Sequence, residues 1–170
     1  TTTKESGSDG SGEDESNDEY LVWNLGDEPG SWDPQLTGTI IGGHIINNLF
    51  EGLMVDTKDG LEYGIAESYE ISANDEGVED TVYTFKLKEN LKWSDGEPLT
   101  AHDFEYSWKR LCDPETASSY AFLITDYVVG ADEFFNGEGE RDDVAVKALD
   151  DHTLKVELKQ PVPYFLNLTA

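Results

Sequence analysis

At 170 residues, 37% apolar and 11% aromatic, the chain is long enough for one packed domain plus a tail. Its 37 acids against 11 bases give a formal charge of −26, a field that repels nucleic acid and anionic lipid and argues against both as partners. No apolar run approaches membrane-spanning length, and a single cysteine, Cys112, excludes a disulfide within the chain.

Residues 1–19, "TTTKESGSDGSGEDESNDE", hold seven acids against Lys4 and no apolar residue, which predicts a flexible, acidic linker. Order is expected to begin at "YLVWNL", where Leu21, Trp23 and Leu25 alternate with Val22 and Asn24 as in a half-buried strand. "GDEPGSWDPQLTG" is turn chemistry, punctuated by Pro29, Gly30, Pro34 and Gly38. "TIIGGHIINNLFEGL" predicts a helix with Ile41, His44, Ile45 and Asn48 or Leu49 on one face. Gly42 and Gly43 weaken it, so they point to a close backbone approach or a late helix start. "LMVD" is a short strand and "TKDG" a turn.

"ESYEIS" and "TVYTFKLK" form the next strands, joined by the acidic loop "ANDEGVED" as a hairpin. In the second, Tyr83, Phe85 and Leu87 face one side, and Thr84, Lys86 and Lys88 the other. Ser94-Asp95-Gly96 closes a tight turn. Thr100 caps a helix with Asp103 three residues on, and Phe104, Trp108 and Leu111 make its apolar stripe. Asp113-Pro114 predicts a second helix start that runs through "ASSYAFLITDYV", with a shorter helix at "ADEFFNG". "VAVKALDDHTLKVELK" reads as a hairpin with Val144, Val146 and Ala148 opposite Leu154, Val156 and Leu158. "YFLNLTA" reads as a helix just starting, which predicts that the sequence is a fragment of a longer protein.

Residues suited to bond-breaking chemistry are sparse. His44, His102 and His152 lie far apart outside any zinc-ligand spacing, and His102 and His152 are expected at the surface. Cys112 has no base or oxyanion motif beside it and reads as a packed thiol. Pairs of carboxylates suited to glycoside hydrolysis are available, but with 37 acids any chosen pair means little. "SDGSGEDES" has the wrong spacing for an EF-hand calcium loop. Trp23, Trp93 and Trp108 read as core packing, whereas Trp32, in a turn-rich loop, suits ligand stacking equally well. The carboxylates read first as a solvated surface; a bias toward cationic ligands is the sharper alternative. Scarce cysteine fits the cytoplasm and exported bacterial proteins alike.

One stretch carries a specific resemblance. "NLKWSDGEPLTAHDFEYSWKRL", followed by "DPETASSYA", resembles the family 5 extracellular solute-binding proteins, in particular the oligopeptide-binding components of bacterial ABC transporters. "EPGSWDPQ", "NLFEGLMV", "GIAESYEIS" and "VKALDDHTLKVELKQPVPYFLNL" flank it in the same order, so the likeness spans residues 20–170. It implies an α+β fold: a small mixed or antiparallel β-sheet domain with flanking helices. That domain would belong to a two-lobed α/β architecture of the type II periplasmic-binding-protein kind. Residues 20–50 would open the first lobe, 51–160 form the small α+β domain, and 161–170 start the return into the first lobe.

The resemblance also implies function. An extended peptide would be held between lobes by main-chain hydrogen bonds, with no catalysis and neither cofactor nor metal. Gly38, Thr39 and Ile40 match the family loop that reaches the peptide, and Tyr120 matches a pocket tyrosine; a packed core tyrosine is the competing reading there. The family loop carries an acid where this chain has Gly38, so that charge contact is absent. Implied partners are an oligopeptide and the membrane permease subunits of the transporter. The receptor would be a monomer, either periplasmic or extracellular and held at the cell surface by an N-terminal lipid anchor. A receptor for another solute (a signal peptide, a dipeptide or a nickel complex), an accessory domain of a secreted hydrolase and an acidic adhesion module remain as alternatives.

Overall fold

The computed structural model describes residues 24–170. The acidic linker and most of the strand expected at "YLVWNL", Trp23 included, lie outside them. The fold is α+β with two antiparallel sheets. Helix α1 spans Ile40–Leu49. A hairpin follows, β1 at Met54–Thr57 and β2 at Gly60–Tyr63, with Thr57 opposite Gly60 across a two-residue turn. Strand β2 was not anticipated: "GLEY" is almost wholly exposed and carries no alternation to read.

The main sheet has the order β3-β4-β6-β5, built from Ala66–Ser72, Val82–Leu87, Thr153–Glu157 and Val146–Asp150. The β3–β4 hairpin forms as expected, and the alternation in β4 sets its register. Tyr83, Phe85 and Leu87 are buried while Lys86 faces water. Phe85 sits opposite Leu154, and Val146 opposite Val156, so three strands feed one apolar face.

Helix α2, Ala101–Leu111, lies over β5 and β6 on that face. The Thr100 N–H donates to Asp103 Oδ2 at 2.8 Å and fixes the helix start as the sequence predicts. Phe104, Trp108 and Leu111 pack on the core. Glu105 and Lys109 fasten the same helix to the sheet. Lys109 Nζ lies 2.8 Å from Glu105 Oε1, and Glu105 Oε2 accepts the Ala148 N–H at 2.8 Å. Burial pushes the Glu105 carboxyl up, but the Lys109 and Ala148 hydrogen bonds outweigh it, and the group ends below its ordinary range.

Three expectations are corrected. The long helix after Pro114 is instead a series of turns with one helical turn, α3, at Phe122–Thr125. Asp113 Oδ1 accepts the Glu115 N–H at 2.9 Å, and Ala117 takes φ +51°, which breaks a right-handed helix. Trp93 is not core; it opens the turn closed by Gly96 N–H to Trp93 O and is 38% exposed. His152 is half-buried rather than a surface residue.

The short helix at "ADEFFNG" forms as α4, Ala131–Phe135. The last apolar stretch makes a 3₁₀ turn at Phe165–Thr169. Its Phe165 is buried against Tyr83 (4.7 Å between ring centroids) and Trp108 (6.3 Å).

Candidate functional site

A groove of about 370 Å³ lies between the loop before α1, the first turns of α1, the C-terminal half of α2 and the Tyr120 turn. Its position follows from how the loop is fixed. Asp33 receives a two-pronged ion pair from Arg110 on α2, with Nη2–Oδ2 at 2.6 Å and Nη1–Oδ1 at 3.1 Å. Arg110 Nη1 also donates to Gln35 Oε1 at 2.7 Å. The Gln35 amide nitrogen donates to the Ser107 carbonyl at 2.6 Å and to the Ser107 hydroxyl oxygen at 3.1 Å. The Arg110 hydrogen bond holds the Asp33 carboxyl below its ordinary range, and the same bond raises the guanidinium.

The opposite wall is tied to the same loop. Buried Ser118 donates its hydroxyl to the Gln35 carbonyl at 2.6 Å, and its oxygen accepts the Tyr120 N–H at 3.2 Å. One serine thus sets the distance between the two walls. A Cβ on Gly38 would meet the Tyr120 ring at 3.8 Å and Ser119 Oγ at 3.9 Å, so the loop and the tyrosine turn stand in contact range.

Gly42 sits against the Thr37 side chain: a Cβ there would overlap Thr37 Oγ1, so the close contact at this glycine is with a side chain rather than with another stretch of backbone. Gly43 meets nothing and has no such constraint. Thr39 caps α1 by accepting the Gly42 N–H at 3.1 Å.

Of the four residues singled out in the sequence, Gly38, Thr39 and Tyr120 line this groove together. Tyr120 is 42% exposed and pairs with exposed Phe122 at 5.8 Å, so it is not a sealed core residue. Ile40 stands outside the lining, 80% exposed. Trp32 is also exposed, but it lies in a separate shallow hollow beside residues 24–29. Trp108 joins the groove floor to the core through Phe165.

Asp33, Gln35, Arg110 and Ser118 were not recognised from the sequence. Their readable signal was Arg110, one of few cations in an acidic chain and thus bound to find a carboxylate; which one, the spacing does not say.

Elsewhere, Cys112 is fully buried, and burial raises its thiol to about 12, as a packed thiol requires. Among the described residues no group of three His, Cys, Asp or Glu side chains is placed to hold a metal, and no helix is long and apolar enough to cross a membrane.

The fold has close counterparts. Residues 60–170 match the family described as bacterial extracellular solute-binding proteins, family 5 middle. The chain is 45% identical over 150 residues to the periplasmic oligopeptide-binding protein OppA of Salmonella typhimurium, covering 87% of this chain and 26% of that protein. It is 43% identical over 166 residues to the oligopeptide-binding protein OppA of Bacillus subtilis, covering 96% and 29%. The structure of Haemophilus influenzae OppA in complex with the peptide RPPGFSPFR superposes with a TM-score of 0.78 at 38% identity, over 86% of this chain and 28% of that one. The chain belongs to the family 5 extracellular solute-binding proteins, and it spans between a quarter and a third of the length of these relatives.

Proposed function

We propose that the chain forms one wall of the oligopeptide-binding cleft of an ABC importer's substrate-binding component. The observation that carries this reading is the groove itself. Two segments far apart in sequence, Gly38–Thr39 and Tyr120, are brought to one open surface by a dedicated hydrogen-bonded network. Affinity would come from amide hydrogen bonds, each worth about 1 kcal/mol net and offered by every peptide, so selectivity is broad. A facing lobe would close over the ligand, exclude water and present the loaded receptor to the permease subunits. No bond in the ligand is broken.

In this reading residues 20–50 open the first lobe, 51–160 form the small domain and 161–170 return to the first lobe. Exposed Ile40, Leu49 and Phe50 then mark where the rest of that lobe packs. The receptor works as a monomer outside the cytoplasmic membrane, and residues 1–19 serve as a spacer behind a lipid anchor.

Calorimetry of the full-length receptor with mixed short peptides, followed by product analysis, tests the proposal. Binding without turnover is expected; peptide cleavage would contradict it. The 170-residue chain alone should bind at least about tenfold more weakly than the full receptor, since one wall offers only part of the contacts.

A further inference from the structure

Two tyrosines away from the groove meet at their hydroxyls. The Tyr164 hydroxyl donates to the Tyr127 hydroxyl oxygen at 3.2 Å, and the rings stand edge to face, 6.0 Å between centroids at 88°. Tyr127, just after α3, is half-buried against the core; Tyr164, at the start of the last 3₁₀ turn, is 51% exposed. Their backbones are held. The Tyr127 carbonyl accepts the Lys159 N–H at 2.8 Å, and the Tyr164 carbonyl accepts the Asn167 N–H at 3.0 Å. The one other contact between two tyrosine rings among the described residues, Tyr63 with Tyr69, is tilted at 50° and has no hydrogen bond between its hydroxyls. The groups that oxidants usually take first are out of reach, because the single cysteine, Cys112, and the single methionine, Met54, are both buried. Trp32 and Trp93 are exposed, but neither has an aromatic ring beside it to couple with among the described residues.

We propose that Tyr127 and Tyr164 are a modification site, where a one-electron oxidant such as the ferryl haem of a peroxidase couples them into a dityrosine. Each phenol gives one electron to the oxidant and its hydroxyl proton to water. The two phenoxyl radicals then join through one ring carbon ortho to each oxygen. The hydrogen on each of those carbons moves to its oxygen and restores two phenols, so one C–C bond forms and two hydrogens leave in all. Holding the rings together makes the coupling unimolecular, so it outruns coupling between separate molecules. The net charge of −26 keeps copies apart and adds to that advantage. The new bond joins positions 37 residues apart, across α4, β5 and β6, and restricts the unfolded chain as a disulfide does. In the domain layout proposed above it ties the small domain to the stretch that returns to the first lobe. The coupling itself does not depend on that layout.

The test treats the dilute full-length receptor with a haem peroxidase and hydrogen peroxide, then separates monomer from cross-linked dimer. The monomer should carry the blue fluorescence of a biphenol. Mass spectrometry of its digest should show two peptides joined at Tyr127 and Tyr164, lighter by two hydrogens than their sum. Tyr127→Phe and Tyr164→Phe keep both rings and remove one hydroxyl each. Either should lower the monomer's dityrosine fluorescence at least about fivefold, whereas Tyr63→Phe should leave it unchanged. A monomer without dityrosine, joined peptides that map to other tyrosines, or fluorescence that persists in either of the first two variants would overturn the assignment. Dityrosine confined to dimers would overturn it as well, since the pair is then not held for coupling within one chain.

Discussion

The sheet body and the groove wall are held together by different physics. In the body, Phe85, Leu87, Leu154 and Val156 vanish from solvent and α2 is laid over them. In the wall, Gly38, Thr39 and Tyr120 stay exposed, and their positions are fixed from behind by Asp33, Arg110, Gln35 and Ser118. Apolar burial is non-directional and supplies stability; hydrogen bonds are directional and supply placement. A surface meant to meet a ligand cannot bury its own contact residues, so it borrows rigidity from a polar frame one layer down.

The comparison can be broken most forcefully at Phe85. Phe85→Ala should cost about 3–5 kcal/mol in urea unfolding, enough to threaten the fold. If the loss were below about 1 kcal/mol, the body would not be the source of stability. Arg110→Ala should cost less, about 1.5–3 kcal/mol, by leaving Asp33 and Gln35 without their partner. Its larger effect should fall on ligand affinity, because the loop before α1 loses its anchor.

The same pair predicts a pH dependence. The folded Asp33 carboxyl titrates below its unfolded value near 4, so the unfolded chain takes up the proton first. The stabilisation is fully present above about pH 4 and disappears as pH falls through the lower folded value. Arg110→Ala should remove the Asp33 share of that acid limb, which an NMR titration of the carboxyl would follow. The smallest expected effect is a gain: Ala117→Gly should stabilise the chain by about 1 kcal/mol, since Ala117 holds a left-handed backbone. Destabilisation there would mean that the turn behind Tyr120 is not strained.

How much could be read in advance divides along the same line. The period-two burial of β4 is imposed by a one-sided sheet, so Tyr83, Phe85 and Leu87 announced themselves. The cap at Thr100 and the α2 stripe are likewise local. The frame behind the groove is not, because Arg110 meets a partner 77 residues away and Ser118 one 83 residues away. The helix expected after Pro114 failed for the same reason. Local propensity favoured it, but Ser118 is spent on the Gln35 carbonyl and Ala117 bends the chain to put it there. Gly38, Thr39 and Tyr120 were singled out through a family resemblance rather than through any pattern of their own.

The central claim is that the open wall, and not the buried body, contacts peptide. Calorimetry of full-length Tyr120→Ala with a short peptide that the unaltered receptor binds, alongside its thermal unfolding, tests this most directly. The account predicts roughly a tenfold loss of affinity with stability unchanged within about 0.5 kcal/mol, as for an exposed side chain. Undiminished affinity in a stably folded variant would contradict it.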